Sequence, residues 1–426
     1  MKGLLFVKKT LILFCCFSLC LTLAFGFYGC GSVLPSAQAA DLMKGITPEI
    51  VEKKDADTRF VRHMAEISAE IFKRSAADSE NTLVSPLSVV LALAMTANGA
   101  SGETLEQMSR LIGGGIPQDE LNQYLLGYVK GLPSASKSKL EIANSIWFRD
   151  DENRLTVEKD FLQTNANFYN AGAFKAPFDK STIKQINSWV DDKTDGMIDK
   201  IIESIADDAV MYLINAIVFD ARWENVYKKT DISDGIFKAS DGREQNVKMM
   251  YSTESIYLYD GSAVGFVKNY DGGNYSFAAL LPNEDVGIDN YISSLSGARL
   301  LSVIDEAKNA EVAAAMPKFS FDYTLVVNNL LEEMGMTDAF SFSDADFSKM
   351  ATSSQGNIYV GKVLHKTFIS VDELGTKAGA VTKVEMKDAC AALDVKTVIL
   401  DRPFVFAIID NSSGLPLFMG AALSMS

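Results

Sequence analysis

His63 and His365 are the only histidines among 426 residues, so any histidine-assisted hydrolysis must pass through one of them. A Ser-His-Asp relay needs an imidazole on a loop beside an activated serine. No G-x-S-x-G elbow is available to present such a serine. His365 stands beside Lys366 in an alternating apolar stretch, where a hydrogen-bonded core imidazole is the expected role. Zinc chemistry needs paired thiols or a helical histidine pair, and neither C-x-x-C nor H-E-x-x-H occurs. The stretch from Gly356 to Val363 approaches a phosphate loop, but Val363 stands where a magnesium-binding hydroxyl belongs. No metal site and no cofactor is expected, and the chain reads as a non-enzyme.

A different segment carries the alternation of a strand. From Thr376, every second residue (Ala378, Ala380, Thr382, Val384, Met386) is small or apolar. Most residues between them (Lys377, Lys383, Glu385, Lys387) are charged. This is the period-two pattern of a half-buried strand. Yet its first half has almost no bulk, and no tight hairpin turn joins it to a neighbour. As a strand it would offer one face that fits a packed core while its charges stay in water. Polar bulk buried unpaired on the inward face costs roughly 2–7 kcal/mol. Gly375 supplies backbone freedom where the segment begins.

The elements around it follow from periodicity. Residues 48–75 predict an amphipathic helix, with Phe60, Met64, Ile67 and Ile71 on one face. A buried helix is predicted from Pro86, with Ser85 as N-cap and Asn98-Gly99 as its exit. Residues 212–223, 276–282, 313–321 and 363–373 read as strands. A short helix ends at Gly335, and residues 403–422 read as a closing hairpin about the turn Asn411 to Gly414. Helices crowd the first half and strands the second, which favours an α+β fold over regular βαβ alternation.

The first thirty residues stand apart. Lys2, Lys8 and Lys9 precede an apolar run from Leu11 to Cys30, the pattern of a secretory signal, with a membrane anchor as the competing reading. Two processing sites are open: an imperfect lipobox that would lipidate Cys30, or ordinary cleavage before Ala40. Either places the functional part outside the membrane, extracellular and free or lipid-anchored at the cell surface. Residues 31–50 read as a flexible segment, and 51–426 as one domain. Loss of the signal takes the formal charge from −15 to −18, since it holds three lysines and no acid. Such an acidic chain argues against nucleic acid and polyanion cofactors as partners. Cys15, Cys16 and Cys20 leave with the signal, so no internal disulfide is expected.

Several stretches resemble one family. Residues 81–108, "ANSIWF" (143–148), "INSWVDDKTDGMI" (186–198), "LINAIVFDARW" (213–223), "MPKFSF" (316–321), "VLHKTFISVDELGTKAGA" (363–380) and residues 401–420 are similar to serpin motifs, in serpin order and spacing. The resemblance covers about residues 55 to 423. It implies a serpin fold of three β-sheets and about nine helices, with a reactive-centre loop over about 373–395 exposed as bait for a protease. In inhibitory serpins the protease cuts the loop, is trapped as an acyl-enzyme, and the loop inserts as an extra strand in the large sheet.

Carried over residue by residue, the resemblance makes Glu373, Gly375, Thr376, Ala378, Gly379 and Ala380 the loop hinge. Leu374 and Gly379 depart from the usual residues there, but neither puts charge on the inward face. The cut falls after Ala389 and before Cys390, sixteen residues beyond Glu373. At about 3.3 Å per residue that is roughly 50 Å of strand. Cuts after Met386 or Lys387 are the competing registers. Ala389 suits proteases with shallow pockets, elastase-like or subtilisin-like. Ser85, Ser88, Asn215 and His365 match the polar cluster beneath the large sheet, and Trp223 the tryptophan at its top. The expectation is a monomeric irreversible inhibitor of an extracellular serine protease, with cysteine proteases a second target class. A non-inhibitory serpin acting as a binding or chaperone-like protein is the alternative.

Overall fold

The computed structural model describes residues 38–76, 80–133, 138–150, 153–376 and 395–425. Cys30, Ala378, Gly379, Ala380, Ala389 and Cys390 lie outside the described residues. Nine α-helices occur among the described residues. They are α1 (Thr58–Ser75), α2 (Pro86–Ala97), α3 (Gly102–Gly113), α4 (Gln118–Gly131), α5 (Lys159–Tyr169), α6 (Lys180–Lys193), α7 (Ile288–Ser293), α8 (Gly297–Asp305) and α9 (Asn328–Glu333).

The strands fall into three runs of six. The first are β1 (Ala40–Asp41), β2 (Thr82–Val84), β3 (Ser138–Arg149), β4 (Leu155–Val157), β5 (Gly172–Ala176) and β6 (Met211–Arg222). Next come β7 (Ile232–Lys238), β8 (Glu244–Tyr259), β9 (Ala263–Asn269), β10 (Tyr275–Pro282), β11 (Lys308–Pro317) and β12 (Phe319–Val326). The last are β13 (Ala351–Ser353), β14 (Lys362–Val371), β15 (Gly375–Thr376), β16 (Lys396–Ile399), β17 (Phe404–Asp410) and β18 (Pro416–Ala422).

They form three sheets, in the α+β arrangement expected. A seven-stranded sheet runs β1-β5-β3-β6-β15-β14-β12. A nine-stranded sheet runs β16-β11-β8-β9-β10-β17-β18-β2, with β7 attached to β8. Strands β4 and β13 make a third, small sheet. Helix α2 is buried at every position from Pro86 to Ala97, because it packs against β6 and β3 on one side and β18 on the other. Its start is set by Ser85, whose Oγ accepts the Ser88 N–H at 3.4 Å, and by Pro86 in the first turn.

Two expectations about the N-terminal part are corrected. The compact body begins at Gln38, not at residue 51, so 38–50 is not a flexible lead-in. Ala40 and Asp41 pair antiparallel with Lys175 and Phe174 of β5, and Leu42, Met43 and Ile46 pack against the core. Helix α1 begins at Thr58 rather than near 48, because Asp57 caps it and accepts the Phe60 N–H at 2.9 Å. Upstream, Lys54 donates its N–H to the Gln123 carbonyl at 3.0 Å. That approach needs the bare Gly127, where a Cβ would stand 1.9 Å from the Lys54 oxygen.

Candidate functional site

Strands β6 and β14 pair in parallel from Tyr212↔Lys362 to Ile217↔Thr367. Above that point they part, and β15 stands between them. The candidate site is this fork: a polar row across its closed part and a clamp at its mouth.

In the closed part, the register sets Asn144 of β3, Asn215 of β6 and His365 of β14 side by side. All three are buried. Above the row stands the first turn of α2. The Ser85 backbone N–H donates to His365 Nε2 at 3.0 Å. Nε2 is therefore unprotonated, and the ring proton sits on Nδ1, which donates to Asn215 Oδ1. Asn215 Nδ2 donates to the Ser88 carbonyl at 2.9 Å, and its two hydrogens also serve Ser88 Oγ and Asn144 Oδ1. Burial pushes the His365 pKa down to about 3, so the ring is neutral. Ser85, Ser88, Asn215 and His365 thus come together as expected. They are fully buried, so His365 is a structural hub with no access for a substrate. Such a network ties β3, β6, β14 and α2 by groups that can exchange partners.

At the mouth, β14 ends at Val371 and the chain turns at once. Asp372 Oδ1 accepts the N–H groups of Leu374 at 2.7 Å and Gly375 at 3.2 Å, and the Asp372 N–H donates to the Gly375 carbonyl. The turn sends Gly375 and Thr376 back into the fork. Gly375 pairs with Arg222, and Thr376 pairs with Ala221 on one side and Val371 on the other. Position 375 must be glycine here, since a Cβ would lie 2.1 Å from the Ala221 carbonyl oxygen. Thr376 is buried, and its Oγ1 meets the Tyr270 hydroxyl at 2.6 Å. The expected exposed loop from 373 is corrected to this extent: 375 and 376 form a buried strand, because the Asp372 turn and the missing Cβ let them pair.

The clamp comes from the segment after β6. The Trp223 N–H donates to the Leu374 carbonyl and its indole N–H to the Asp372 carbonyl, both at 2.9 Å. The Tyr227 N–H donates to the Glu373 carbonyl at 3.0 Å. The Trp223 ring stacks on Tyr270, with centroids 4.5 Å apart and planes 12° from parallel. Lys318, between β11 and β12, pairs with Glu373 and holds its carboxyl below the usual range. Trp223, Glu373, Gly375 and Thr376 therefore meet at one place. Among the described residues no cluster of three or more His, Cys, Asp or Glu could hold a metal.

The serpin family model, for serine protease inhibitors, matches residues 62–425. The chain belongs to the serpin family. Leukocyte elastase inhibitor A of Rattus norvegicus is 28% identical over 360 residues, covering 81% of this chain and 93% of its own. A thermophilic serpin, tengpin, in its native state superposes with a TM-score of 0.88 at 51% identity, covering 91% of this serpin and all of that chain. Tengpin in its latent state fits with a TM-score of 0.78 at 50% identity, covering 88% and 100%. Serpins are protease inhibitors or binding proteins rather than catalysts.

Several residues of this serpin's fork have no local signature. Asn144 enters it through the register of β3 on β6, and Tyr270, just beyond β9, through its bridge to Trp223. Lys318 lies in a quoted motif, but only the fold brings it to Glu373.

Proposed function

We propose that this serpin is an irreversible, suicide-substrate inhibitor of an extracellular serine protease. One observation carries the reading: Gly375 and Thr376 already stand as strand between β6 and β14. A severed loop would extend a ladder that has begun, rather than start one. The attacking serine oxygen bonds to the Ala389 carbonyl carbon, the Ala389–Cys390 peptide bond breaks, and the Cys390 amine leaves with a proton. The protease then remains as an ester on Ala389 while the strand beyond Thr376 fills the fork. The small inward residues Ala378 and Ala380 suit that path, as do charges on the opposite face. Ala389 favours an elastase-like or subtilisin-like target, and the relative named leukocyte elastase inhibitor A supports the first. Export through the N-terminal signal, free or lipidated at Cys30, sets the compartment.

Mixing with pancreatic-type elastase tests the reading. The expected result is a complex that survives boiling in detergent, with mass spectrometry placing the cut after Ala389. Clipped product alone, across elastase-like and subtilisin-like proteases, would favour a non-inhibitory serpin.

A further inference from the structure

Lys268 is the one fully buried lysine among the described residues. It sits on β9, and its Nζ donates to Glu254 Oε1 of β8 at 2.7 Å. The Glu254 side chain is itself only 10% exposed. A desolvated ammonium is an expensive way to fill space, and an apolar side chain of like volume would pack at no such penalty. Its surroundings show what the charge does. Nζ lies 4.4 Å from the Tyr227 ring centroid and 5.6 Å from that of Trp223. These two residues donate the N–H groups that hold the carbonyls of Asp372, Glu373 and Leu374. The contacts close a circuit. Ser252 Oγ donates to the same Glu254 oxygen at 2.7 Å, and the Tyr227 hydroxyl meets Ser252 Oγ at 3.3 Å. The ammonium cannot leave the ring faces without breaking the ion pair, and neither ring can turn without leaving the ammonium.

We propose that Lys268 is a positioning residue for the hinge: its ammonium, held by Glu254, pins the Tyr227 and Trp223 rings and so keeps the 372–374 turn seated in the fork. The proposal deepens the reading of the fork as an acceptor of the loop, since it names what sets the readiness of the hinge. Lys268, Glu254, Ser252 and Tyr227 also line an open cleft of about 650 Å³, so variant side chains have room to relax.

The test uses the uncut protein and no protease. Lys268→Met with Glu254→Gln removes both charges, leaves no lone buried ion and keeps an acceptor for Ser252. Hydrogen exchange is followed by mass spectrometry in the peptide spanning 368–376, with the α2 peptide as an internal reference. Loss of a desolvated cation–ring contact should speed exchange at 372–376 by about tenfold and leave α2 unchanged. Equal acceleration of both peptides, or none in either, overturns the proposal. If the double variant does not fold, Tyr227→Leu decides by the same readout, since it removes a ring but keeps the ion pair and the backbone donor. Local loosening with no protease complex in the wild type would leave the pin standing and refute the inhibitory reading instead.

Discussion

Thr376→Arg places the sharpest demand on the fork. Thr376 is 1% exposed, touches the Tyr270 hydroxyl at 2.6 Å and is paired on both edges. An arginine there has two choices. Staying in buries an uncompensated charge and costs about 3–5 kcal/mol. Leaving the fork loses the Tyr270 contact and a few ladder bonds, at about 1 kcal/mol net each. Withdrawal is the milder course, so the variant should fold with its hinge outside and global stability lower by at most about 3 kcal/mol. After a cut, return of the hinge carries the full burial penalty, which shifts the partition between trapping and release by about 10²- to 5 × 10³-fold. The assay titrates wild type and variant against an elastase-type protease. Detergent gels count complex and clipped product, and kcat/KM for loop cleavage is measured alongside. The expected outcome is clipped product in place of complex, with the cleavage rate within about twofold of wild type. Thr376→Val is the control: it keeps the shape, loses one hydrogen bond and should retain most of the complex. Thr376→Arg forming complexes at wild-type stoichiometry would refute the account of the hinge face.

Two further predictions concern the same strands. His365 titrates near 3 when folded and near 6.5 when unfolded, so the unfolded chain binds the extra proton between those values and stability falls as the solution is acidified. His365 should contribute about 1.6 kcal/mol to the difference between denaturant melts at pH 6.5 and pH 5, and His365→Gln should remove that contribution. Gly375→Ala drives a methyl group into the backbone of β6, whose Ala221 oxygen lies 2.1 Å from the new Cβ, so Thr376 should lose its exchange protection while α2 keeps its own.

Much of this arrangement is readable from composition and period. The buried α2, its Ser85 cap, the β17–β18 hairpin and the alternation beyond Thr376 each follow from local rules, and the structure bears out those among the described residues. What local rules miss is register and reach. Asn144 sits in "ANSIWF", an ordinary strand, and gains its role only because β3 and β6 align it with Asn215, 71 residues away. Lys268 follows a run of apolar residues on β9, where a lysine reads as a solvent-facing charge; its burial depends on Glu254 arriving from β8. The segment from Gln38 has no periodicity to mark it as ordered. Its order comes from partners far along the chain, such as the bare backbone at Gly127. Likewise Thr376 has the residue type for an inward position, but nothing in the sequence tells whether the fork already holds it.

The short strand at Ala40 and Asp41 has a consequence for the company the molecule keeps. Without it, β5 would form the rim of the seven-stranded sheet, offering unpaired N–H and C=O groups to any extended peptide that drifted past. Ala40, Asp41 and the Leu42 N–H cover β5 from Ala173 to Lys175, most of its length. One rim of the sheet is thereby closed to passing backbone, while β12 stays the edge strand on the other side.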